Sequence, residues 1–438
     1  MPTDSPPAHL TQPTTLSPWA WLSGPVFPNF KPASTDGSRI RSRKLWSGEV
    51  LFAKGALLAP GRADLIVRAT LSLPILQDNA HERVRAAVRT TRWNHPSIAS
   101  RIAWNDDYSE GKFVYEAPSD DAAISAWLDQ VVFLRHVGVE GVEKTRDGLL
   151  AELASSGARR TGDEFKLYHI APSSSGFPVE YEEKHEIVMH LRHALFDGIA
   201  GWEALSVYLA ALATALDAPS HALTVPFEWG AELERLARPV PDRVAQEAQW
   251  SPDDLHGNWP LIQKVKDIIA RPGSNYGIPY PIQPAKQLGM SFKVTKFPST
   301  TLKGLLRAAR AHGVKLFATQ FATNLIACMR AAPPPPTDSE HSVTLPFNAV
   351  DLRRLLSTPG QTELVSALGF NTLDARDLMR FRAAGEESAC ERVILDAVWT
   401  LAGEIQAQLI EQSKWDKDFV KSAPVLLGTV ATWLKNAP

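Results

Sequence analysis

His193-Ala194-Leu195-Phe196-Asp197-Gly198 is the stretch whose residue types and spacing could do chemistry. An imidazole with an ordinary pKa near ~6.5 is largely neutral at pH 7 and can take a proton from a weak nucleophile. A carboxylate four residues on, across a turn, can support such a base or cap the helix that follows. The glycine behind it permits a tight backbone turn. Chance produces this H-x-x-x-D-G pattern only rarely in a chain of this composition, so it favours a site without proving one. The competing reading is a surface turn in which Asp197 is an ordinary N-cap.

The flanking residues decide whether the turn could be held rigidly. Glu186 to Arg192 reads as a strand with Ile187, Met189 and Leu191 on one face. Ile199 to Leu216 reads as an apolar helix, with Trp202, Leu205, Leu209 and Leu212 at helical spacing. Strand, turn and helix in that order expose side chains at a strand end while both neighbours fix them.

Upstream, Leu65–Leu73, Gly111–Tyr115 and Phe165–Ile170 alternate as strands. A helix is predicted near Glu82–Thr91, with Val84, Ala87 and Val88 inward, and His95-Pro96 then forces extension. Residues 119–160 read as mostly helical. The chain divides into an N-terminal arm (1–35), a first half (36–216), a Pro-rich crossover (217–287) and a second half (288–438). The arm carries Trp19 and Trp21, which would wrap it onto the body. Short helices are predicted in the crossover near Gly230–Leu236 and Pro260–Ile269.

In the second half Met290–Phe297 reads as a strand, and Ser299 or Thr300 as the cap of a helix. Its stripe of Leu302, Leu305, Leu306 and Ala309 should be buried, and Gly313 should close it. A second helix over Leu316–Met329 stops before Pro333–Pro336. Val343, Leu345 and Phe347 alternate as a strand leading into Asn348–Arg354, and Arg392–Gln412 is the last large helix.

Composition removes several function classes. Lys and Arg total 46 against 48 Asp and Glu, a net charge of −2, so no basic excess draws the chain to nucleic acid or anionic lipid. Hydrophobic residues are 44% and charged residues 21%, which argues against disorder. Two cysteines, Cys328 and Cys390, cannot build a disulfide framework and suit a reducing compartment. No secretory signal pattern opens the sequence, and the apolar run Leu205–Leu216 reads as too short to span a bilayer. The expectation is a soluble, cytoplasmic, monomeric protein.

The His193 turn resembles the catalytic motif of the chloramphenicol acetyltransferase-like superfamily. That group includes plant BAHD acyltransferases, peptide-synthetase condensation domains and fungal trichothecene 15-O-acetyltransferase-like proteins. Glu82–Trp104, with Asn94-His95-Pro96, resembles the family's early helix and its step into a strand. Ser299–Met329 resembles the helix pair opening the second half. Thr344-Leu345-Pro346-Phe347-Asn348-Ala349-Val350-Asp351-Leu352-Arg353 resembles the strand ending in an arginine, followed by Leu368-Gly369-Phe370-Asn371.

The resemblance implies an α/β fold of two domains, each a mixed sheet with flanking helices, and an active-site channel between them. It implies an acyltransferase in which His193 is the general base, Asp197 is structural and pairs with Arg353, and Gly198 lets the backbone turn. Acyl-CoA, most simply acetyl-CoA, is the implied co-substrate, and a hydrophobic hydroxylated secondary metabolite the acceptor. No permanently bound cofactor and no metal are implied.

Some positions depart from the family pattern. Arg192, which with Arg353 is a candidate substrate or structural support residue, stands where condensation domains carry a first histidine. No D-F-G-W-G segment follows Arg353, and Phe227-Glu228-Trp229-Gly230 lies too early to replace it. The chain also leaves little room for strands after its last large helix. Two rivals therefore stay open: a relative catalysing cyclisation or carrier-protein-dependent condensation, and a non-catalytic ligand-binding shell. His190 and His193 lack nearby partners for a metal set, and Cys328 reads as a core residue.

Overall fold

The computed structural model describes residues 20–24, 26–32, 36–58, 64–74, 80–138, 141–154, 164–173, 182–224, 226–244, 274–275, 296–333, 341–357, 364–414 and 416–423. Trp19, the Pro260–Ile269 helix, most of the Met290–Phe297 strand and Pro334–Pro336 lie outside them.

A mixed four-stranded sheet carries the first half, in the order β2 (Asp64–Pro74), β7 (Glu182–Arg192), β6 (Phe165–Pro172), β5 (Val132–Val137). β2 and β7 pair antiparallel along their full length, from Asp64↔Arg192 to Pro74↔Glu182. β5 runs parallel to β6, and β6 antiparallel to β7. The period-2 alternation of β7 puts Ile187, Met189 and Leu191 into the core. That face is covered by α2 (Ala80–Asn94), α3 (Asp121–Val131) and α5 (Gly198–Asp217), and the opposite face by α4 (Gly141–Ala154). Beside it stands an antiparallel sheet of β1 (Ile40–Lys44), β4 (Gly111–Glu116) and β3 (Arg101–Trp104), followed in sequence by α1 (Ser47–Leu58) after β1.

The second half has its own core. The helices α6 (Ser299–Ala311), α7 (Leu316–Ala331) and α8 (Glu391–Ser413) meet β9 (His341–Asp351) and β10 (Leu368–Ala375), and the two-residue strand β8 (Ser274–Asn275) pairs parallel to β9. A third apolar cluster joins the parts. It contains Trp46 from the first half, Val240 and Val244 from the crossover, Leu352 and Ala367 from the second half, and Phe419, Val420 and Ala423 from a helical segment at 416–423.

Several sequence expectations need correction. Residues 119–160 are mostly helical as expected, in α3 and α4, but hold the strand β5 between them; its Val132-Phe133-Leu134 run suits either state, and pairing with β6 decides. Pro96 opens a short 3-10 turn, Pro96–Ala99, and the chain becomes extended only at Ser100 after it. The crossover contributes 3-10 turns at Ser220–Thr224, Ala231–Arg235 and Val240–Asp242. α6 starts at Ser299 with Pro298 at the N-cap position and no side-chain cap, and of its predicted stripe only Ala309 is buried, while Leu302 and Leu305 are exposed. Gly313 does close that helix, at φ +69.

Two helices, α5 with 20 residues and α8 with 23, are long and apolar enough to cross a membrane by length and composition, which corrects the reading of Leu205–Leu216 as too short. α5 nevertheless buries Ala200, Gly201, Ala204, Leu205, Tyr208, Leu212 and Ala215 against the sheet and α2. Gly201 allows the close approach: a Cβ there would lie 2.9 Å from Val67 Cγ2 and 3.3 Å from Leu191 Cδ1.

Candidate active site

β7 ends at Arg192 and α5 begins at Gly198, so His193 sits on the turn between two buried elements. The Leu195 and Phe196 amides both donate to the Arg192 carbonyl, at 3.0 and 3.1 Å, which closes the turn. Arg192 N–H in turn donates to the Glu164 carbonyl at 2.9 Å, tying the strand end to β6.

Asp197 is the N-cap of α5, 2% exposed, and its Oδ1 accepts from Ala200 N–H at 2.8 Å. The same carboxylate takes a bidentate pair from Arg353, Nη1 to Oδ2 at 2.9 Å and Nη2 to Oδ1 at 3.0 Å. Ala367 N–H adds a fourth bond, to Oδ2 at 2.8 Å. Capping and the arginine pairing are therefore both present in one side chain. Arg353 also donates to the Val365 carbonyl at 2.9 Å and to Asp351 Oδ1 at 3.1 Å, and its Nε lies 3.9 Å from Glu203. Burial works against the charge of Arg353, but its bonds to Asp197 and Asp351 hold its pKa above the ordinary value. Burial also raises the Glu203 carboxyl above the usual carboxylate range, with Arg353 pulling it down.

The His193 ring is half-buried and lies flat against Phe52 of α1, with centroids 3.6 Å apart and planes 6° from parallel. Its Nδ1 is buried at the turn, beside the His193 and Phe196 backbone. Burial pushes its pKa below the ordinary histidine value, while the backbone at His193, the Asp197 charge and the backbone at Phe196 moderate that effect. Burial thus favours the neutral imidazole, the form a general base needs.

Arg192, expected like Arg353 to support the site, is a buried residue at the end of β7. It is 9% exposed, with Nη1 3.9 Å from Asp64 Oδ1, and that aspartate also meets His190 Nε2 at 3.0 Å. These groups knit the ends of β2 and β7 beneath the turn. Among the described residues no three His, Cys, Asp or Glu side chains are placed to hold a metal ion. Gly198 needs correction: it is exposed, its φ is not left-handed, and a Cβ would meet nothing within 4 Å, so no turn geometry demands glycine there. The glycine that sterics do demand is Gly201.

Sequence reasoning did not find Phe52, Gly201, Glu203 or the Ala367 amide. Val50-Leu51-Phe52-Ala53 is a continuous apolar run that fits a strand or a helix, so no spacing points to it. Phe227-Glu228-Trp229-Gly230 has a packing role: Phe227 stacks on Trp93 at 4.8 Å and Trp229 meets the same ring edge-on at 5.4 Å. Cys328 is half-buried and Cys390 exposed, both free. In the arm, Trp21 Nε1–H donates to the Ala237 carbonyl at 2.9 Å.

Trichothecene 15-O-acetyltransferase TRI3 of Fusarium sporotrichioides is 21% identical over 181 residues, 40% of this chain and 34% of its own. The acyl-CoA-dependent acyltransferase MAC1 of Pseudozyma antarctica is 25% identical over 211 residues, 46% of this chain and 38% of its own. The matched stretch thus spans about a third to two-fifths of these relatives. The solved structure of the Fusarium sporotrichioides enzyme superposes with TM-score 0.76 at 15% identity, covering 97% of this chain and 80% of that one. The condensation domain of the monacolin K polyketide synthase MokA superposes with TM-score 0.50 at 12% identity, over 88% of this chain and 76% of that one. Both establish the fold as the two-lobed chloramphenicol acetyltransferase-like α/β architecture. With its sequence profile matching residues 59–362, most of the chain, this protein belongs to the family of 15-O-acetyltransferase Tri3.

Proposed function

We propose that this chain transfers an acyl group, acetyl in the simplest case, from acyl-CoA to a hydroxyl of a hydrophobic secondary metabolite. The carrying observation is the His193 imidazole on a turn clamped by the Asp197–Arg353 pair. Nδ1 is buried, so Nε2 is the ring nitrogen that meets the acceptor. It takes the hydroxyl proton as the oxygen forms a bond to the thioester carbonyl carbon. The tetrahedral oxyanion then collapses, the C–S bond breaks, and the imidazolium returns its proton to the departing thiolate. The products are an ester and free CoA thiol. General base catalysis contributes about 10²- to 10⁴-fold to such a step, and positioning supplies much of the rest. No resident cofactor is required, because the thioester brings its own activation.

The test is thiol release from acetyl-CoA in the presence of a panel of hydroxylated terpenoids and polyketides, with wild type and His193→Ala. Release by wild type that falls at least ~100-fold in the variant supports the reading. Equal rates in both proteins, or no release with any acceptor, would remove it.

A further inference from the structure

The first half holds a cavity of about 650 Å³ that, among the described residues, neither His193 nor any residue of the second half lines. Its walls are the end of α2, the Pro96–Ala99 turn, the start of β3, the end of β4, α3 and the start of β6. Sites for small organic molecules have volumes of about 300–1,000 Å³, so there is room for more than a few waters.

Two buried polar residues lie on its wall. Ser100 is 1% exposed, and its hydroxyl is buried with no hydrogen-bond partner. Leaving such a group unpaired is costly, and a ligand hydroxyl that reaches it removes the cost. Glu164 is 5% exposed, and its Oε1 accepts from Ile102 N–H at 3.3 Å. Burial raises its carboxyl above the usual carboxylate range, with the Arg192 charge pulling it down. A protonated carboxyl offers both a donor and an acceptor.

The rest of the wall supplies a fixed ring and no unanswered charge. Trp127 of α3 lies 17° from parallel to Phe165 with centroids 6.4 Å apart, and the Arg92 guanidinium sits 4.5 Å from its centroid. Arg92 also donates to the Glu116 carbonyl at 3.0 Å and lies over the Tyr115 and Trp229 rings. Arg101 pairs with the Glu116 carboxylate at 2.9 Å. A bound anion would face Glu164, and a bound cation would face Arg92 and Arg101. An uncharged molecule meets neither penalty.

We propose that this cavity is a second ligand site, which takes an uncharged small molecule with a hydroxyl on Ser100 and Glu164 and an apolar ring against Trp127. The site stands apart from acyl transfer and does not rest on that reading. One backbone link ties it to the candidate base: the Glu164 carbonyl accepts Arg192 N–H at 2.9 Å, one residue before His193.

The experiment uses the full chain and NMR of the indole N–H signals, Trp127 being assigned by its loss in Trp127→Phe. Phenethyl alcohol, phenethylammonium and phenylacetate share one frame and differ in charge. The alcohol should shift the Trp127 signal saturably, with a Kd of ~1–5 mM, and the two ions should bind at least about tenfold more weakly. Ser100→Ala should weaken the alcohol about three- to tenfold, the loss of one hydrogen bond. Ala126→Phe, at an exposed position on the cavity wall, should fill the space and abolish the shift. A Trp127 signal unmoved by the alcohol at ~20 mM, ions that bind as tightly, or unchanged binding in either variant would overturn the proposal. Should Ser100→Ala fail to fold, the three compounds on wild type and Ala126→Phe still decide. Unchanged affinity in His193→Ala supports a separate site. Lost affinity there would put the alcohol at the turn, sinking this proposal and leaving acyl transfer untouched.

Discussion

Removing one partner of the Asp197–Arg353 pair tests whether this contact holds the candidate base loop. Asp197→Asn is the first perturbation. The asparagine oxygen can still cap α5 through Ala200 N–H, but its amide nitrogen then confronts donors, Arg353 Nη1 or Ala367 N–H, where a carboxylate oxygen accepted both. Breaking a buried pair by removing one partner costs about 3–5 kcal/mol. Arg353 retains 16% side-chain exposure and its Asp351 contact, which puts the expected loss at the lower end, ~3 kcal/mol. Arg353→Gln leaves a carboxylate with backbone donors only and should lose a similar ~3 kcal/mol. The double variant buries no unpaired charge, so it should lose ~4 rather than ~6 kcal/mol, a coupling of about 2 kcal/mol. Equilibrium urea unfolding of the four full-length proteins, followed by tryptophan fluorescence and far-UV dichroism, measures this. Strictly additive losses, with coupling below ~0.5 kcal/mol, would show that the two side chains act separately and that the clamp does not hold the turn.

Other consequences are checked more simply. Gly201→Ala should destabilise by ~1–2 kcal/mol despite the better helix propensity of alanine, because its Cβ would press on Val67 and Leu191; a raised melting temperature would refute this. His169 and His185, 3.0 Å apart and both fully buried, have pKa values lowered chiefly by burial to about 3 and about 4. Their folded values lie below the unfolded one, so stability should be fully present above pH ~6.5 and decline as pH falls towards 4, by up to ~1.4 kcal/mol per pH unit for each histidine. Urea midpoints that stay flat between pH 6.5 and 4.5 would contradict it. Because the His193 pKa is also depressed by burial, the acid limb of kcat/KM should fall below the ordinary value near ~6.5; a limb above that value would assign the base elsewhere.

Local periodicity made the frame of the site legible. β7, α5 and α2 announce themselves by the spacing of Ile187, Met189 and Leu191, of Leu205 and Leu212, and of Val84, Ala87 and Val88, since burial on one face writes that spacing into sequence. The His193 turn was readable because strand and helix abut it directly. What remained hidden depends on contacts far apart in the chain. Phe52 lies in an apolar run without a period, and only the tertiary stack on His193 gives it meaning. Gly201 looks like any glycine in a helix until Val67 of β2 is packed against it. The α6 stripe misled because amphipathic spacing predicts a face that can be buried, and among the described residues Leu302 and Leu305 remain exposed. Gly198 misled in the opposite sense, since its place in a recognised pattern suggested a backbone need that its geometry does not have.

The two contacts that bear on His193 come from different physics and from both halves of the molecule. Arg353 and the Ala367 amide, both in the second half, hold the turn through charge and hydrogen bonds at Asp197. Phe52, from the first half, covers the ring with a flat apolar contact backed by Phe370 of the second half. Charge-assisted bonds fix a backbone firmly without adding a donor or acceptor to the imidazole, whereas an apolar face keeps the neutral form of the ring favoured. A carboxylate on the ring would have stabilised the imidazolium and raised the pKa. A base covered this way keeps its neutral form at pH values where an imidazole paired to a carboxylate begins to protonate, which is the sense of the depressed His193 value. Loss of either contact should therefore have a distinct signature: variants at Asp197 or Arg353 act on the stability of the turn, and variants at Phe52 on the titration of the ring.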